Sequence, residues 1–232
     1  DEAFRLVQRE DKILFKAAEG EEQAFDFAPA RDILDAAAYF ADQHPLLHQD
    51  FPYPCGGFGL VGYEFAARCD HIRLTKQHDD LHIDDAVFLY GHVYLIYDHH
   101  ADVIYLHGVN YNEHAVDLND ALDAVERRIR DLDFNYLVEP EDAPRPNKIV
   151  SDPNDEKDFL EGVEKIREDI AAGSLIQAVL SRRLTVETAQ SSFESYRRLR
   201  SINPSLYMFH IDFGDFQLFG ASPEVHVKLK ED

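Results

Sequence analysis

The stretch VEPEDAPRPNKIVSDPNDE, residues 138–156, carries four prolines among many acids. Proline fixes φ and has no amide proton, so neither a helix nor a central strand runs easily through it. The chain is therefore expected to fold in two parts, residues 1–146 and 147–232. A length of 232 residues allows two small domains or one large one. The 45% share of apolar residues is enough for a real core.

In the first part, FRLVQ (4–8) and KILFKA (12–17) predict a hairpin turning at Glu10-Asp11. ARDILDAAAYFADQ (30–43) predicts a helix with Ile33, Leu34, Ala37, Ala38 and Ala41 on its inner face. AVFLYGHVYLIYD (86–98) reads as one long strand and VIYLHGV (103–109) as its antiparallel neighbour. Ala115, Leu118, Leu122, Val125, Ile129 and Leu132 step by three and four, an amphipathic helix over the sheet.

In the second part, Asp152 and Pro153 are placed to start a helix through Phe159, Val163, Ile166 and Ile170. Gly173 is placed to end it. SLIQAVLSRRLTVE (174–187) reads as a strand, and Ser192 as the cap of a helix stopped by Asn203-Pro204. LYMFHIDF and FQLFGA form a hairpin around Gly214-Asp215, and VHVKL (225–229) reads as a further strand. The fold class is α+β, antiparallel sheets packed with helices, since strand and helix do not alternate as in a parallel sheet.

The formal net charge is −22. It argues against a nucleic-acid partner, because nothing supplies a basic groove for phosphates. An acidic, solubilising surface accounts for it. No run of about 18 apolar residues occurs, so no membrane helix is expected. The start, DEAFRLVQRE, lacks a basic segment followed by an apolar core, so no signal peptide is expected. It also lacks an initiator Met, which suggests a start inside a longer protein. Two cysteines, Cys55 and Cys69, suit a reducing cytoplasm, with a disulfide between them left open.

Generic motifs fail. Gly56, Gly57, Gly59 and Gly62 do not follow the dinucleotide-binding spacing and read as a tight turn. His99 and His100 point to opposite faces of a strand, so with His92 and His107 nearby they still make a poor metal set. Ser181 and Ser222 lie in no nucleophile elbow.

Three segments are more distinctive: PYPCGGFGLVGYEFAARCD (52–70), DFLEGVEKIREDIAAGSLIQAVLSRRL (158–184) and SINPSLYMFHIDFGDFQLFGASPEV (201–225). In order and content they resemble component I of the anthranilate synthases and the wider family of chorismate-utilising enzymes. That family carries a GG-x-VGY-x-x-YD-like segment, then G-D-I-F-Q-V-V-L-S-Q-R, then N-P-S-P-Y-M-F-Y and G-A-S-P-E. The second and third segments match closely and the first more loosely.

The resemblance implies the N-terminal portion of that fold. It also implies an enzyme that takes the dianion chorismate, with Mg²⁺ as cofactor. Ammonia comes from a glutamine amidotransferase partner, component II, and the products are anthranilate and pyruvate. L-tryptophan is the implied inhibitor. Asn203, Pro204, Leu206, Tyr207 and Met208 match the segment that lines the tryptophan pocket. Leu206 stands where the family usually has proline, which would loosen that loop. The N-terminal L-L-E-S segment that completes the pocket is missing. Tyr207, Met208 and Phe209 read equally as core residues of a strand, and the two roles are not exclusive.

Gln177 occupies a position where relatives that add water carry lysine, and glutamine is no general base, so an ammonia-using enzyme is favoured. Gln177 also reads simply as an amide satisfying buried backbone. Glu224, in the G-A-S-P-E match, is a possible cleft-lining acid or a structural one. The family's Mg²⁺ ligands and catalytic residues follow that match, so none is expected in these 232 residues. The chain is expected to be part of a longer polypeptide and inactive alone. Aminodeoxychorismate synthase component I, of the folate pathway, is the alternative enzyme. A non-catalytic amino-acid-binding regulatory module is the alternative from another class.

Overall fold

A computed structural model describes residues 2–18, 20–25, 31–44, 57–74, 81–131, 147–150 and 155–228. The Asp152-Pro153 helix start and Cys55 lie outside these residues. The chain divides into two compact units, Asp1–Tyr136 and Leu137–Asp232.

The first unit is built on β1 (Glu2–Arg9) and β2 (Lys12–Ala17), an antiparallel hairpin with Glu10 at positive φ in the turn. With β3 (Gln23–Ala24), β4 (Phe58–Val61) and β5 (Ala86–Gly91) they form one antiparallel sheet of order β3-β2-β1-β5-β4. Registers Phe4↔Tyr90, Leu6↔Phe88 and Leu6↔Phe15 gather large side chains on one face, as the period of two requires. Phe4 is at the centre, with ring centroids 4.6 Å from Tyr90, 4.9 Å from Phe15 and Phe40, and 5.0 Å from Tyr111.

Helix α1 (Ile33–Asp42) packs here, its start capped by the Asp32 carboxylate, which accepts the Leu34 amide proton at 2.9 Å. Its buried face is Ile33, Ala36 and Phe40. This corrects the expected face, since Leu34 and Ala38 point outward. The aromatic ring of Phe40 buries more surface than any alanine and sets the rotation. Gln8 is fully buried, yet every polar group of its side chain is used. Its Oε1 accepts the Ile33 amide proton at 2.9 Å, and its Nε2 donates to the carbonyls of Glu10 (2.6 Å) and Lys12 (3.2 Å). One amide thereby ties the hairpin turn to the start of α1.

The GGFG region supplies a close backbone approach. A Cβ on Gly59 would stand 1.9 Å from the Val87 carbonyl oxygen, so β4 lies against β5 only with glycine there. Residues 63–69 then form a 3-10 turn (Tyr63–Phe65) running into the short helix α2 (Ala66–Cys69).

The segment 86–98 is two strands, not one. β5 ends at Gly91, and β6 (Val93–Asp98) pairs instead with β7 (Val103–Gly108). His92 sits at the break. Its ring Nδ1 lies 2.8 Å from the Val109 carbonyl, and the Val109 amide donates back to the His92 carbonyl at 2.7 Å. Helix α3 (Leu118–Arg130) packs on this hairpin by setting Leu118 and Leu122 over Gly108. Asp117 caps it, accepting from the amides of Asn119 and Asp120.

The second unit holds β8 (Lys148–Ile149), α4 (Asp155–Ala171), β9 (Val186–Glu187), α5 (Ser192–Ile202), β10 (Tyr207–Asp212) and β11 (Gln217–Ser222). Helix α4 ends as expected at Gly173, φ +78°. The Gly173 amide donates to Ile170 at 3.0 Å and the Ser174 amide to Asp169 at 2.9 Å, the paired bonds of a Schellman ending. The strand expected over 174–187 is present only as β9, paired with β8. Residues 175–185 form no ladder among the described residues. They run against α4 instead, with Leu180 over Gly162 and Arg182 2.6 Å from Asp155. Val225–Lys228 are not a strand either. A β-forming sequence becomes a strand only where a partner ladder is supplied.

Candidate functional site

Helix α5 positions the first candidate group. Its N-cap is Ser191, one residue before the expected Ser192, and forms a capping box with Glu194. The helix closes at Asn203, whose amide donates to Leu199 at 2.8 Å and whose backbone leaves the helical region ahead of Pro204. The chain then crosses Ser205 and Leu206 and enters β10.

β10 and β11 pair antiparallel with Tyr207↔Ser222, Met208↔Ala221 and Phe209↔Gly220. This register sets Tyr207 and Met208, which end the N-P-S-L-Y-M segment, opposite Ser222 and Ala221 of the G-A-S-P-E segment, two motifs twelve or more residues apart in sequence. Phe209 lies across Gly220, where an added Cβ would stand 2.6 Å from the ring. The far end turns through Gly214 at φ +85°, with the Phe213 amide donating to Phe216 at 2.9 Å. Asp212 accepts from the Gly214 amide at 2.8 Å and from Gln217 at 2.7 Å. The Gly214 bond first, then the Gln217 bond, hold its carboxyl below the ordinary value, with a smaller contribution from His210.

Leu206 is exposed and Tyr207 partly so, whereas Met208 is half-buried. Tyr207 and Met208 are thus strand residues with one side open, compatible with lining a pocket. The Ser205 hydroxyl is buried and has no hydrogen-bond partner among the described residues. Its only signal in the sequence is its place inside the N-P-S match.

Ser192 Oγ lies 2.8 Å from His210 Nε2, a pairing that resembles a nucleophile and base. The hydroxyl proton, however, is taken by Gln217 Oε1, so His210 must donate to the serine rather than receive from it. That polarity is structural, not nucleophilic.

Glu224 is exposed. Its backbone is held by Ser222, whose hydroxyl donates to the Glu224 carbonyl at 3.1 Å and accepts its amide at 3.4 Å. Gln177 is exposed in the unladdered 175–185 run and is not gathered with the other two groups. Among the described residues no three His, Cys, Asp or Glu side chains converge to hold a metal, so no chemical step is assigned to a metal held by them. No helix among them is long and apolar enough to cross a membrane.

Comparison with known proteins gives four results. The family model described as chorismate binding enzyme matches residues 3–232. Anthranilate synthase component 1 of Spirochaeta aurantia is 47% identical over 231 residues, 99% of this chain and 47% of that protein. Aminodeoxychorismate synthase component 1 of Bacillus subtilis is 28% identical, over 83% of this chain and 41% of its own. The crystal structure of anthranilate synthase component I from Streptococcus pneumoniae superposes with a TM-score of 0.69 at 28% identity, covering 97% of this chain and 49% of that one. The chain spans about half the length of the relatives it matches.

Proposed function

This chain belongs to the chorismate binding enzyme family, and from that premise we propose that it is part of an anthranilate synthase component I. The whole protein converts chorismate and ammonia to anthranilate, pyruvate and water. The amino group enters at C2, the C4 hydroxyl leaves, and pyruvate is then eliminated. The observation that carries this reading is the 47% identity to an anthranilate synthase component 1 across 99% of the chain. Glutamine at position 177 supports it, because a neutral amide cannot activate water as a lysine of lowered pKa can.

The ammonia is supplied by a glutamine amidotransferase, component II, and the protein works in the cytoplasm. Mg²⁺ would supply the positive charge a dianion needs beside a chain of net charge −22. Its ligands are proposed to lie in the rest of the whole protein, and these 232 residues alone are proposed not to turn over chorismate. L-tryptophan inhibits by binding at Asn203, Pro204, Leu206, Tyr207 and Met208. The juxtaposed motifs and the unpartnered Ser205 hydroxyl support a small polar ligand there.

The test is the whole-length protein supplied with chorismate, ammonia and Mg²⁺. Anthranilate is the expected product. 4-Amino-4-deoxychorismate would establish the second reading, which the Bacillus subtilis relative favours. Absence of any aminated product would overturn both. Calorimetric titration with tryptophan should show saturable binding that weakens at least tenfold in Met208→Ala.

A further inference from the structure

The break between β5 and β6 holds a feature that the proposed reaction does not use. His92 is 8% exposed, and its ring is bonded at both nitrogens. A carbonyl only accepts, so the 2.8 Å contact with Val109 requires the proton on Nδ1. In neutral His92, Nε2 is then an acceptor, and His114 Nδ1, 2.7 Å away, must donate to it. The two rings stack with centroids 5.0 Å apart. His114 in turn anchors its own segment, since Tyr111 and His114 exchange backbone bonds at 3.0 and 3.2 Å. Asn110 bonds Val116 in both directions at 2.9 Å, which leads into the Asp117 cap of α3. Toward α1, Glu113 accepts from Tyr39 at 2.5 Å and Gln43 at 3.0 Å.

The proton count limits this arrangement. One positive charge fits: His114 can carry both its protons while still donating to His92. Two charges do not, because N–H would then face N–H across 2.7 Å.

We propose that the His92–His114 pair is a proton-sensitive latch that holds residues 109–116 against the β5–β6 bend while the pair carries at most one charge, and releases them when both rings are charged. Released, the segment would free the cap of α3 and its tie to α1. Around the pair stand the phenols of Tyr94 and Tyr111, whose oxygens are 3.1 Å apart, and the His44 ring set edge-on to Tyr111. Glu113 is occupied by Tyr39 and Gln43, and His107 sits opposite Tyr94 in the β6–β7 register. The charge that acts on His92 is that of His114.

Burial first, and the His114 charge second, push the His92 pKa below its ordinary 6.5, against the opposing bond to Val109. A lowered histidine pKa means that the unfolded or opened state takes the proton first. The latch therefore contributes fully above about 6.5 and is lost as pH falls below it.

The experiment is amide hydrogen exchange on the full chain at pH 7.5 and 5.0, corrected for intrinsic rates and referenced to amides of β1 and β5. Protection of the Val109 and His114 amides is expected to fall at least tenfold more than the reference in the unaltered chain. In His114→Asn it should not fall, since the amide group donates from the same position and can rotate to accept from a charged His92. Equal behaviour of the two amides and the reference, or the same fall in His114→Asn, would overturn the latch. Imidazole ¹⁵N spectra of the unaltered chain provide a second reading free of any variant. They should show His92 protonated at Nδ1 alone at pH 7.5, and the Nε2–H tautomer would contradict the proton count.

Discussion

Gln8 shows how one buried amide can organise a core. Its three bonds link the β1–β2 turn to the first turn of α1. Gln8→Leu would keep the volume, orphan the buried Ile33 amide and remove one donor from the Glu10 and Lys12 carbonyls, of which Glu10 keeps the Arg68 guanidinium. A loss of roughly 1–3 kcal/mol is expected in chemical denaturation, because the orphaned amide carries its full desolvation cost. A change under about 0.5 kcal/mol would show that water satisfies those groups. Two glycines separate steric from conformational demand. Gly59→Ala meets the Val87 backbone oxygen at 1.9 Å and should cost roughly 3 kcal/mol, since neither strand can move without breaking the ladder. Gly173→Ala meets nothing within 4 Å but holds φ at +78°, so about 1 kcal/mol is expected. Equal losses at the two positions would contradict this distinction.

At the scale of elements, what could be read from sequence was what local chemistry fixes. The ending at Gly173 and the hairpin at Gly214-Asp215 rest on glycines that take positive φ without steric cost, whereas the turn at Glu10-Asp11 was legible from the strand patterns on either side of it. The break at His92 was not legible, because AVFLYG and VYLIYD are both β-forming and what divides them is the choice of partners, β1 and β4 for the first and β7 for the second. The 174–187 segment failed for the converse reason: it has β-forming residues and no ladder among the described residues until Val186. The candidate site divides the same way. The N-P-S-L-Y-M and G-A-S-P-E motifs were visible as strings, but their adjacency depends on the β10–β11 register. The state of residues 175–185 is checkable by exchange on this chain. Their amides should exchange near unprotected rates while those of β10 and β11 are slow. Slow exchange across 175–185 would reveal a ladder and contradict the description. At α5, Ser191→Ala removes one half of the capping box and should lower stability by about 1 kcal/mol.

At the scale of the whole molecule, charge dominates. A net charge of −22 on 232 residues is self-repulsive, and screening shortens the range of that repulsion. Raising NaCl from about 0.05 to 0.5 M should therefore raise the melting temperature by several degrees. A flat or falling response would mean that the acidic groups are already locally compensated, as Asp84 and Glu22 are by Arg9. The same charge bears on the proposed function, since a dianionic substrate would approach such a surface only where positive charge is concentrated. The most direct test of the proposed chemistry uses ¹⁵N-labelled ammonia and chorismate with the whole-length protein. The account predicts label in the ring amino group of anthranilate, with one pyruvate released per label incorporated. A hydroxylated product that carries no label would contradict it.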